Sequence, residues 1–311
     1  MRCASSRRPA AARLLVAPAI VASALLGAAS SHAAALVSFD DFSGGAISPF
    51  RWAGEETEQY GATRVESRRA VATGQLRLES KAYSDNYENV GTGTTRNSLV
   101  IVKSPAVTDL RATVTMRTAA PVACGANTAP SLARARLFGF FFNAGYPVNP
   151  GSEYNDVYAQ AQVYRASNST DAAGVMQVSA NIGICTDNDC IGSTTLATVS
   201  LGTVALNTPV QLQVSWDKAH KQFTFQRDSN TAVSLPYTVS DLQPPQYNAK
   251  RIEVANIVAQ CTATRVSSYS GADFDNIMTN ALPTVLTNTV SAPAVRSRPT
   301  ELSDPINGGA N

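Results

Sequence analysis

The chain has 311 residues, 44% of them apolar and only 15% charged, with a formal net charge of +2. A charged fraction below the usual ~25% excludes disorder along the whole length. The near-neutral balance excludes a strongly basic nucleic-acid binder and an acidic calcium buffer. Length allows either about two ordinary domains or one large β domain.

Arg2, Arg7, Arg8 and Arg13 open the chain without an acidic residue. An apolar run, Leu14 to Ala29, follows and is broken by Pro18. Ser31-His32-Ala33 then places small residues around a cleavage point. This order predicts a secretory signal over 1–33. The run is short for a membrane span, which needs about 20 residues. Cleavage after Ala33 leaves 311 − 33 = 278 residues and changes the charge to 21 − 23 = −2. One histidine, His220, and four cysteines remain.

Period-two alternation dominates the rest, the pattern of half-buried strands. It predicts strands near 36–42, 76–79, 98–103, 111–117, 155–165, 174–183, 210–216, 223–226, 252–259 and 272–278. Leu137–Phe142 is apolar on both faces and is placed centrally in a sheet. Glu55, Glu56 and Glu58 lie in a polar stretch without alternation and read as a solvated acidic loop. Tyr146-Pro147-Val148-Asn149-Pro150-Gly151 reads as a turn or a rim loop. Asp217–Lys221, with His220 inside it, reads as a solvated hairpin turn.

Cys185 and Cys190 enclose four polar residues, which suits a disulfide-closed loop, and Cys124 then pairs with Cys261. A metal or redox site at Cys185 and Cys190 is the alternative. After Ala281 four prolines punctuate an aromatic-free Ser/Thr/Asn tract, so 281–311 reads as a flexible tail. About a dozen strands over 34–280 predict an all-β fold of two packed antiparallel sheets.

Three segments carry a resemblance: Phe39-Asp40-Asp41-Phe42-Ser43-Gly44 with Trp52, Val214-Ser215-Trp216-Asp217 with Phe223-Thr224-Phe225, and Ala272-Asp273-Phe274-Asp275-Asn276-Ile277. Their order and spacing resemble bacterial concanavalin A-like (laminin G-like) jelly-roll domains. The resemblance implies a lectin/glucanase-type sandwich of two curved sheets. It also implies a structural calcium ion where the first and last strands meet, with Asp41 and Asp275 at that place. Because the family holds binders and enzymes alike, the fold leaves function open.

Glycoside hydrolases of that family carry a cluster resembling Glu-x-Asp-x-x-Glu on one strand, and retaining chemistry sets two carboxyls about 5–5.5 Å apart. No segment here has that spacing. Glu153 and Asp156, three apart, are expected on different faces. A lone histidine disfavours a triad or a His-based lyase, while a Tyr-Arg lyase stays open. The strand near 155–165 is the best candidate surface. Val157, Ala159, Ala161 and Val163 suit the inter-sheet core. Tyr158, Gln160, Gln162 and Tyr164 suit an outward face that binds sugar through flat rings and amides. Gln211, Gln213, Thr224 and Gln226 extend the same chemistry. The expectation is a secreted, non-cleaving binder of an extracellular polysaccharide, with no nucleic acid and no membrane span after cleavage. A glycan-degrading enzyme and a protein-binding adhesion domain are the alternatives.

Overall fold

The computed structural model describes residues 35–59, 62–102, 104–145 and 152–281. The expected signal (1–33), the segment 146–151 expected as a turn or rim loop, and the expected tail beyond Ala281 lie outside the described residues.

Among the described residues fifteen strands form in chain order. They are β1 (Val37–Asp40), β2 (Trp52–Gln59), β3 (Ala62–Ala72), β4 (Gln75–Ser84), β5 (Thr92–Ile101), β6 (Asp109–Pro121), β7 (Leu132–Asn143), β8 (Asp156–Ala166), β9 (Val175–Cys185), β10 (Ser193–Ala205), β11 (Val210–Asp217), β12 (Gln222–Arg227), β13 (Val233–Pro236), β14 (Lys250–Ala259) and β15 (Ser267–Thr279). Among the described residues no helix is long and apolar enough to cross a membrane.

The strands make two antiparallel sheets in a jelly-roll β-sandwich. One sheet runs β13-β12-β11-β6-β15-β4-β3, with β1 added to β15. The other runs β10-β9-β8-β7-β14-β5-β2, which puts β7 at its centre, where the doubly apolar run 137–142 belongs. Alternation decides which side chains enter the core. From the seven-stranded sheet come Ala133, Ala135, Leu137, Ala159, Ala161, Ala180 and Val254, and from the other Leu78, Val114, Leu212, Phe225 and Phe274, all buried.

Toward one end the inter-sheet layer turns polar. Asn97 Nδ2 donates to the carbonyls of Arg68 and Glu79, and Asn256 Nδ2 to that of Ser80. Each amide reaches from the seven-stranded sheet to a backbone oxygen of the other, which satisfies buried polar groups that would otherwise cost about 1–3 kcal/mol each. Both disulfides form as expected, Cys124–Cys261 and Cys185–Cys190.

The opening motif is held by Asp40. Its buried carboxylate accepts Trp52 Nε1 at 2.7 Å and the Phe42 amide at 2.9 Å. Antiparallel pairing of β1 with β15 brings the first and last strands together.

Candidate functional site

The β8 row takes the predicted orientation. Val157, Ala159, Ala161 and Val163 are core residues, so Tyr158, Gln160, Gln162 and Tyr164 share the outer face of the seven-stranded sheet. Register places Gln160 between Phe138 and Asn181, Gln162 between Arg136 and Ser179, and Tyr164 between Arg134 and Gln177. The row is less open than its polarity suggested: Tyr158 is 7% exposed and Gln160 5%. The Tyr158 ring lies over Gly183, stacks on Phe138 at 5.1 Å, and donates its hydroxyl to Ser193 Oγ at 3.0 Å. Gln160 accepts from Arg136 and donates to Asn181 Oδ1 at 2.6 Å. Gln162 donates to Ser179 Oγ, while its buried Oε1 has no partner. All four residues line one cleft of about 570 Å³ with Gln177, Asn181 and Thr198. Tyr158 and Gln160 also line an adjoining pocket of about 180 Å³.

That pocket is floored by arginines: Arg96 on β5, Arg134 and Arg136 on β7, and Arg251 on β14. Glu253, fully buried, lies among them. It accepts from Arg136 Nε, and its other oxygen is 2.7 Å from Arg251 Nε. Burial alone would raise the Glu253 carboxyl, but the surrounding guanidiniums hold it at about 2. Arg251 stacks over Phe138 at 4.3 Å, a cation–π contact strengthened by desolvation. This layer is not apparent from sequence. The signal was there as alternation in Arg134-Ala135-Arg136 and in Arg251-Ile252-Glu253, but the cross-strand partners are more than a hundred residues apart.

Glu55 corrects the acidic-loop expectation. It sits on β2, an edge strand paired with β5, and its carboxylate meets Arg96 at 3.1 Å, Arg251 at 3.4 Å and the Tyr247 hydroxyl at 3.3 Å. The side chains of Glu56 and Glu58 lie outside the described ones. Burial, then the Glu55 charge, pushes the Tyr247 phenol up.

Glu153 precedes β8 and Asp156 opens it, and the two take different hydrogen-bond partners. Asp156 accepts from the amides of Gln246 and Tyr247 and from Asn143 Nδ2, a structural role. Glu153 is bound into the small disulfide loop: its amide donates to Asn188 O at 2.8 Å, and Ser152 Oγ to Asn188 Oδ1 at 2.8 Å. Burial pushes its carboxyl up to about 7 against the pull of Arg251 and Arg96, and one oxygen has no partner.

The other candidates lie elsewhere. Gln211, Gln213, Thr224 and Gln226 are on β11 and β12 of the eight-stranded sheet, so they do not extend the β8 row. His220 sits in an exposed turn with Nδ1 2.7 Å from Asp217. The Asp41 carboxylate is taken by the Ser43 amide and hydroxyl, and Asp275 accepts the Asn276 amide. Among the described residues, the one group of three close His, Cys, Asp or Glu ligand atoms is Glu153 with Cys185 and Cys190, whose sulfurs are already bonded to each other.

No family model and no curated protein sequence matches the chain. Among solved structures it is similar to the catalytic domain of an endo-1,3-beta-glucanase (laminarinase) from Thermotoga petrophila RKU-1, at 14% identity and a TM-score of 0.41, covering 79% of this chain and 96% of that one. It is similar to alginate lyase Aly36B at 14% identity and a TM-score of 0.34, covering 80% and 97%. It is also similar to the carbohydrate binding module CBM66 from Bacillus subtilis at 8% identity and a TM-score of 0.30, covering 71% and 92%.

Proposed function

We propose that the chain is an exported protein that holds an extracellular glycan on the outer face of its seven-stranded sheet without cleaving it. The observation that carries this reading is the cleft itself. Tyr158, Gln160, Gln162 and Tyr164 line one groove whose walls are mostly amides and hydroxyls. Sugars present paired hydroxyls to amides and C–H faces to rings. Gln162 Oε1 is buried without a donor, a deficit that a sugar hydroxyl would fill. Two disulfides support export to an oxidising compartment.

Two groups beside the cleft are ill suited to acid–base chemistry. Glu253, held at about 2 between two arginines, is a poor proton donor at neutral pH. Tyr247, pushed up by burial, is a poor base. A second reading rests on Glu153, whose buried carboxyl is pushed up to about 7 and keeps one oxygen without a partner, features that cluster at acid–base sites.

Affinity electrophoresis through gels holding soluble polysaccharides, run beside assays for new reducing ends and unsaturated products, tests both. Retention without product is expected. Product formation abolished by Glu153→Gln would establish the enzyme instead.

A further inference from the structure

We infer that the glycan held on this face is acidic, and that the Arg134 guanidinium pairs with its carboxylate or sulfate group. This rests on the glycan-binding reading above and sharpens its ligand class.

The first ground is charge. Arg96, Arg134, Arg136 and Arg251 floor the pocket, and the carboxylates ion-paired with them are Glu55 and Glu253. The balance is 4 − 2 = +2, and it stays positive, at +1, with Glu153 ionised as well. Low-dielectric walls strengthen such a field toward a ligand.

The second ground is one unpartnered donor. Arg136 and Arg251 share Glu253, and Arg96 and Arg251 share Glu55. Among the described residues Arg134 has no carboxylate partner, and its Nε is buried without an acceptor. Burial, then the Arg136 charge, lowers its guanidinium to about 9, which leaves it charged at neutral pH. A partly buried guanidinium without a counter-charge is costly, and an incoming oxyanion relieves that cost. The planar fork of Arg suits a carboxylate or sulfate bound through two oxygens.

The third ground is placement. Arg134 lines both the arginine pocket and the amide cleft, and it pairs across β7–β8 with Tyr164, next along the outer row from Gln162. Arg134 needs an acceptor and Gln162 Oε1 needs a donor. A sugar bearing an acid group beside a free hydroxyl supplies both.

The test is affinity electrophoresis of the full chain through polygalacturonate, alginate and chondroitin sulfate gels, each beside its carboxyl-reduced or desulfated counterpart. The expected result is retention in an acidic gel with affinity at least tenfold above its neutral counterpart. The carboxylate and sulfate gels identify which acid group is bound. Arg134→Gln should lose that preference, whereas Lys218→Gln, an equal change of charge on an exposed turn, should keep it. The acidic-to-neutral comparison on the unmodified chain stands even where Arg134→Gln fails to fold. Equal retention in acidic and neutral gels, or an Arg134→Gln variant that folds and keeps the preference, overturns this inference and leaves the glycan reading intact. Retention in no gel overturns both.

Discussion

The ring of Tyr158 lies directly over Gly183, its partner across the β8–β9 pair. A Cβ added at Gly183 would fall 2.3 Å from Tyr158 Cζ and 2.4 Å from its hydroxyl oxygen. Gly183→Ala should therefore push the ring off the sheet and break its stack on Phe138 and its bond to Ser193. The expected cost is about 1–3 kcal/mol, the range for overpacking, with weaker polysaccharide retention. Adding Tyr158→Ala should recover part of the stability and none of the retention. Urea denaturation and affinity electrophoresis on the single and double variants check this, and additive losses in stability would contradict it.

Strand pattern was legible where one face of a strand is buried and the other is not. The four strands that alternation left out, 52–59, 62–72, 193–205 and 233–236, are the four edges of the two sheets. Edge strands meet the core less fully, and two register shifts in Ser193–Ala205 break its period of two. The β8 row was legible for the converse reason, since its small aliphatics mark the core side. The arginine floor was not, because a charged residue on an outward strand position reads as solvated until register shows Arg136 beside Glu253. The same gap assigned Gln213 and Gln226 to the binding face: alternation tells inside from outside but not which of two sheets a strand joins.

Two buried carboxyls give opposite pH dependences. Glu153 rises from an ordinary 4.5 to about 7. Between those values the folded chain keeps a proton that the unfolded chain has released, so stability falls as pH rises across that window, by about 3 kcal/mol at most. Glu253 is lowered to about 2, and its contribution is present above 4.5 and lost as pH falls through about 2. Glu153→Gln should remove the decline between 4.5 and 7. Denaturation midpoints across that range check it, and parallel curves for the two proteins would contradict the assignment.

The two disulfides should differ in weight. Chain entropy scales with the loop closed. The sequence separations are 137 for Cys124–Cys261 and 5 for Cys185–Cys190. Removing the first by paired alanines should cost about 5 kcal/mol and the second about 2. The smaller loss should carry the larger functional effect, because the Cys185–Cys190 loop holds Ser152 and Glu153 through Asn188 and its Cys190 lines the arginine pocket. Thermal melting beside retention measurements separates the two effects. Equal loss of retention in both variants would contradict the local role of the small loop.

The proposed function puts sugar on the seven-stranded sheet and not on its opposite. Two paired variants test it most directly: Gln162→Ala/Tyr164→Ala on the proposed face, and Gln213→Ala/Gln226→Ala on β11 and β12 of the other sheet. Both remove similar polar surface from partly exposed strand positions. In affinity electrophoresis on a polysaccharide that retains the unmodified chain, the first pair should lose retention and the second should migrate as the unmodified chain does. Loss in the second pair with retention kept in the first would put the sugar on the other sheet instead.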